Sequence, residues 1–175
     1  MLNLGRLRKD NNHINALHAS TDCLFIGLNN RAVTDSVVIN LSYADIFSGA
    51  DSIDMEAIGT SHTLRGITHT HDLEPIGRRI LCSASKKGQV FDLSSGEIIF
   101  SGNGWVRGLT SDSSNIYIGQ SPRASRNERR NENLLPTIVK IAKHDLEILG
   151  EQKIDKGGPW VSTWIQTATQ SVKLD

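Results

Sequence analysis

Apolar positions in this chain come in short bursts, and the bursts repeat. HINALHASTDCLFIG (13–27), HTHDLEPIGRRILCS (69–83) and WVRGLTSDSSNIYIG (105–119) align without a gap. Leu17, Leu73 and Leu109 open the shared pattern. An apolar triplet follows each of them: Leu24-Phe25-Ile26, Ile80-Leu81-Cys82 and Ile116-Tyr117-Ile118. A small residue closes each copy, namely Gly27, Ser83 or Gly119. The alignment continues into VINLSYADIF (38–47), VFDLSSGEIIF (90–100) and IVKIAKHDLEIL (138–149), each read as a strand, a four-residue turn and a strand. The turns fall at Ser42–Asp45, Ser94–Glu97 and Ala142–Asp145. Polar gaps between β-branched and aromatic runs are hairpin signals. No segment sustains a 3.6-residue period; SIDMEAIGTSH (52–62) is the one weak candidate for a helix or an extra strand.

Each copy therefore predicts four short antiparallel strands. Repeats of roughly forty to fifty residues with four strands apiece are the signature of propeller blades. The predicted fold is all-β, a β-propeller-like repeat of four-stranded antiparallel blades in a single domain over 1–175. Its blade units span about 13–50, 69–101 and 105–154. A partial fourth covers 159–175, where Trp160-Val161 echoes Trp105-Val106. Closed propellers have typically four or more blades. Three complete units plus a partial one predict an incomplete propeller, either a fragment or a chain that self-associates through open blade ends. An open end leaves a strand-rich face to be paired. The units differ mainly in their connections, and the long ones, 48–68 and 121–136, map to surface loops.

Composition narrows the partners. The 175 residues carry 19 basic and 19 acidic side chains and no net charge. Nothing global draws the chain to nucleic acid or to an anionic membrane. Apolar runs such as CLFIGL are too short to span a bilayer. MLNLGRLRKDNNH has no apolar core of the kind a secretory signal needs, so the expected compartment is the cytoplasm. Cys23 and Cys82 fall at offsets of opposite parity in the aligned copies. They read as two small hydrophobes, not a disulfide.

Candidate chemistry lies just ahead of the opening leucines. Two residues before them stand Asn15, His71 and Arg107; four before stand His13, His69 and Trp105. The first strand of each propeller blade lines the central channel, and positions two apart on a strand share a face. A core would repeat Val or Leu at such positions. Asn, His and Arg instead predict a shared polar pocket, with His71 as a candidate acid/base and Arg107 as an anion or oxyanion holder. His62, His69 and His71 also invite a metal reading, but further ligands at a fitting spacing are missing, so no metal or cofactor is expected. Asp72 aligns with Ala16 and Gly108 and reads as a ligand of backbone amides. Arg123, with Arg126, Arg129 and Arg130 in the 121–136 insertion, is a further candidate for anion contact, although such runs are ordinarily solvated loops. Gly102-Asn103-Gly104 lacks the Lys-Ser/Thr of a phosphate loop. No nucleophile motif is present, and whether the chain is an enzyme stays open.

THDL followed by RRILCSASKKGQVFDLSSGEII, and GWVRGL followed by NIYIGQSPRASR, resemble bacterial β-propeller proteins, specifically the domain of unknown function numbered 4915. More loosely they are similar to the six-bladed group that includes gluconolactonase-like and strictosidine-synthase-like proteins. The resemblance covers about 13–150. Its lactonase branch implies a calcium-type site of Glu, Asn and Asp on the channel, where this chain has His and Arg. The expected function is a binding module that recognises a small anionic or sugar-like ligand, or a partner chain, at the channel mouth. A hydrolase or lyase using channel His and Arg is the second expectation, and a structural scaffold the third.

Overall fold

The computed structural model describes residues 13–29, 35–48, 60–64, 67, 69–125, 127–128, 131 and 133–154, with backbone alone at 13 and 60–64. The 159–175 segment, most of 52–62, and Arg126, Arg129 and Arg130 lie outside these residues. Among the described residues twelve strands form three antiparallel sheets of four. The first sheet holds β1 (His13–Ala19), β2 (Cys23–Asn29), β3 (Ser36–Ser42) and β4 (Thr60–Leu64). The second holds β5 (Thr70–Ile76), β6 (Arg79–Ala84), β7 (Gln89–Asp92) and β8 (Ile98–Ser101). The third holds β9 (Trp105–Ser111), β10 (Asn115–Ser121), β11 (Thr137–Ala142) and β12 (Ile148–Lys153). Within each sheet the strands pair in chain order, the up-and-down order of a propeller blade. The chain is all-β and propeller-like.

The aligned residues are structural equivalents. Leu17 pairs with Ile26, Leu73 with Cys82 and Leu109 with Ile118. The next strand keeps step, with Ile39, Phe91 and Val139 opposite those same partners. β1 packs on β5 and β5 on β9, so the first strands gather together. Apolar residues fill the two seams between sheets. Ala16 and Val38 meet Leu73, Cys82, Ala84 and Phe91 at the first. At the second, Leu81, Val90 and Phe100 meet Val106, Ile116, Ile118, Val139 and Ile141. Both cysteines are free, and burial pushes the Cys82 thiol up to about 12, leaving it an inert packing group.

One predicted hairpin is corrected. The residues after β3 do not turn into a strand at 46–47. They form a short helix, α1 (Tyr43–Ile46), and the fourth strand of the first sheet is Thr60–Leu64. Ser42 caps that helix. Its Oγ accepts from the Asp45 amide at 3.1 Å and donates to the Asp45 carboxylate at 2.5 Å. Ser-x-x-Asp thus favours a helical turn over a hairpin at this point.

Candidate functional site

The three first strands share a defect in the same place. Pairing slips by one residue between Ile14 and Ala16 in β1, between Thr70 and Leu73 in β5, and opposite Ile118–Gln120 in β9. Each slip is a β-bulge, in which two residues of one strand face a single residue of the next. Asn15-Ala16 face Gly27, His71-Asp72 face Ser83, and Arg107-Gly108 face Gly119. The small residue that closes each repeat is therefore the one beneath the bulge. A Cβ on Gly27 would come within 3.1 Å of the Ala16 Cβ. In the second sheet a hydroxyl does the work instead. Ser83 Oγ accepts from the His71 and Asp72 amides at 3.1 and 3.0 Å. Bulges re-aim side chains, and they collect beside functional sites.

The bulges of β5 and β9 bring three predicted residues together. Arg107 Nη1 lies 2.9 Å from His71 Nε2 and 3.4 Å from its Nδ1. The guanidinium carbon sits 5.1 Å from the centre of the Trp105 ring, within cation–π range. His71, Trp105 and Arg107 are all half-buried. Burial first, then the Arg107 charge and the neighbouring His69, hold the His71 imidazole down at about 4. It is neutral at pH 7, so a ring nitrogen accepts from the guanidinium. Asp72 also engages the third sheet. Its carboxylate accepts from Ser83 Oγ at 3.2 Å and from the Gly108 amide of the next sheet. Burial raises it to about 6, against the pull of those hydrogen bonds and of Arg107. Farther along the same two strands, Ser111 Oγ donates to Glu74 Oε1 at 2.7 Å. The pair β5–β9 is thus tied by polar contacts at both ends.

The other predicted residues are placed as follows. Asn15 occupies the matching bulge of β1, half-buried. His13 pairs with Asn29 through the backbone. The predicted row of positions two apart is broken at His69, because β5 starts at Thr70 and His69 has left-handed backbone, φ 65°. That residue is tied in by its main chain. Its amide donates to Asn29 Oδ1 at 3.2 Å and its carbonyl accepts from the Ser85 amide at 3.1 Å. Burial, then Lys86 and Arg107, lower its imidazole. Arg123 donates instead to the Lys87 carbonyl at 3.3 Å, on the 85–87 turn. Among the described residues no three of His, Cys, Asp or Glu are grouped to hold a metal ion. Sequence reasoning missed Asn29 and Ser83, which hold His69 and the second bulge. The repeat carries a signal for Ser83, a hydroxyl where its counterparts are glycine.

No protein-family model matches the chain, and no curated protein matches it. Among solved structures, the chain is similar to one titled a nidogen/laminin complex, with a TM-score of 0.54 and 14% identity over 83% of this chain. It spans 51% of that chain, about half its length. At this identity the likeness speaks for the fold alone. Among the described residues no helix is long and apolar enough to cross a membrane.

Proposed function

We propose that this chain is a propeller-type binding module whose bulged first strands present Arg107, His71 and Trp105, with Asn15 and His69 beside them, to a small anionic or sugar-like ligand or to a partner chain. One observation carries the reading: the Arg107 guanidinium is fixed between a neutral imidazole and an indole face. A guanidinium so oriented suits a carboxylate or phosphate, and an indole face suits a sugar ring. The resemblance to the domain numbered 4915 and to six-bladed propellers belongs to this proposal, as does association through the open ends of the blade array.

The neutral imidazole also favours binding over the hydrolase or lyase reading. A general base works best with a pKa near the working pH, and His71 at about 4 is far below it.

The test is thermal shift of the purified protein with a panel of glucuronate, galacturonate, gluconate and inorganic phosphate. Binding is expected to raise the melting point for at least one of the sugar acids. A ligand at a hundred times its Kd stabilises by about 2.7 kcal/mol. Arg107→Ala is expected to abolish the shift and Trp105→Ala to reduce it. A panel without effect on the wild type, or shifts that survive Arg107→Ala, would remove the small-ligand reading.

A further inference from the structure

At the other end of β5, away from His71, a cleft of about 430 Å³ opens over the second seam. Ligand sites typically enclose ~300–1,000 Å³. Two turns form its walls. One is the two-residue hairpin Gly77-Arg78 between β5 and β6, closed by the Ile76–Arg79 pair. The other is the 143–146 turn between β11 and β12. Ile76, Ile116 and Leu146 supply its apolar surface, and Arg78 and Lys143 stand at its edge.

Leu146 is the informative residue. The second sheet makes the same turn between β7 and β8. There the Asp92 amide bonds Glu97 O at 2.9 Å and the Gly96 amide bonds Asp92 O at 2.8 Å. In the third sheet the Ala142 amide bonds Glu147 O at 2.9 Å and the Leu146 amide bonds Ala142 O at 3.1 Å. Leu146 therefore stands where Gly96 stands, and both have left-handed backbone, φ 63° and 74°. Glycine takes that conformation freely, whereas a leucine costs roughly 1–2 kcal/mol there. The strain places a leucine side chain against the seam, where it walls the cleft. Strained residues of this kind cluster at ligand clamps and active sites.

The charges at the rim are unequal in their commitments. Arg79 pairs with the buried Asp92 at 3.5 Å, Lys143 Nζ donates to the Asp112 carbonyl, and Asp145 pairs with His144 at 2.9 Å. Arg78 has no hydrogen-bond or ion-pair partner among the described residues. Its turn is short, so the side chain is presented from a fixed backbone beside the apolar part of the cleft. We infer that this cleft binds a small amphiphilic anion, with one carboxylate, sulfonate or phosphate group on Arg78 and Lys143 and an aliphatic or aromatic body against Ile76, Ile116 and Leu146. This site is separate from the Arg107 cluster and does not rest on the function proposed for it.

The probe is 1-anilinonaphthalene-8-sulfonate, which joins an anionic group to an aromatic body, and the readout is fluorescence titration of the intact chain. One saturable site is expected. N-phenyl-1-naphthylamine, the same body without the sulfonate, is expected to bind at least tenfold more weakly. Arg78→Gln, on an exposed turn, is expected to weaken sulfonate-probe binding roughly tenfold or more, as loss of a charge-assisted contact does. Leu146→Gly restores the sister turn and is expected to cost affinity while leaving the melting point unchanged or raised. Equal binding of both probes, or unchanged binding in Arg78→Gln and Leu146→Gly, overturns the assignment. So does a loss seen in Arg107→Ala but not in Arg78→Gln, which puts the probe at the other end of β5.

Discussion

His71 and Asp72 are neighbours whose environments push them in opposite directions. The imidazole is lowered to about 4 and the carboxyl raised to about 6, both chiefly by burial. The unfolded chain protonates a histidine near 6.5 and an aspartate near 3.9. Between pH 6.5 and 4 the unfolded state therefore carries a proton on His71 that the folded state lacks, so this residue withdraws stability as pH falls. Between pH 6 and 4 the folded state carries a proton on Asp72 that the unfolded state lacks, so this one adds stability as pH falls. In the wild type the two contributions nearly cancel near pH 5. Substitution separates them. Asp72→Asn is expected to lose stability from pH 7 to pH 5 relative to the wild type, and His71→Gln to gain it. Urea midpoints of the three proteins at both pH values check this; parallel trends would show that the pair is not differentially buried.

At the scale of elements, the repeat made most of the fold legible. An ungapped alignment implied that the opening leucines share one register, and each pairs with the third residue of its triplet. What the alignment concealed is whatever all copies hold in common or displace together. The bulge lies in every first strand, so it leaves no gap to notice, and it breaks the simple two-residue rule for which side chains share a face. The Gly96–Leu146 equivalence was hidden because β11 runs two residues farther than β7 relative to the same register. The fourth strand of the first sheet, TSHTL, has no apolar alternation to announce it. The connections have their own demands. Gly88 follows the 85–87 turn with φ 73°, and a Cβ there would strike the carbonyl oxygens of Gly102 and Gly104, 2.5 Å from the latter. Its own carbonyl accepts from the Gly102 amide at 2.9 Å, locking the second sheet to the link that leads into the third. Gly88→Ala is expected to destabilise by roughly 2–4 kcal/mol, the left-handed cost plus the overlap. Gly150→Ala on β12, where nothing lies within 4 Å, is expected to stay within about 0.5 kcal/mol. Denaturant unfolding of both variants gives the comparison.

At the scale of the molecule, the second and third sheets pack their opening leucines at the seam with the sheet before. Leu73 meets Ala16 and Val38 and is 6% exposed, and Leu109 packs on the second seam. Leu17 holds the same position in the first sheet and is 61% exposed. Stability in such arrays is close to a sum of units and nearest-neighbour seams. Among the described residues the second seam holds eight buried apolar residues against six at the first. Loss of contact at the smaller seam should therefore release the first sheet and leave the other two joined. Val38, fully buried in β3 at that seam, is the residue to truncate. Val38→Ala is expected to cost roughly 2 kcal/mol. In native-state hydrogen exchange the amides of β1–β3 are expected to lose protection, while those of β9–β11 keep theirs. An equal loss in all three sheets would mean that the seams do not divide the molecule and that it opens only as a whole.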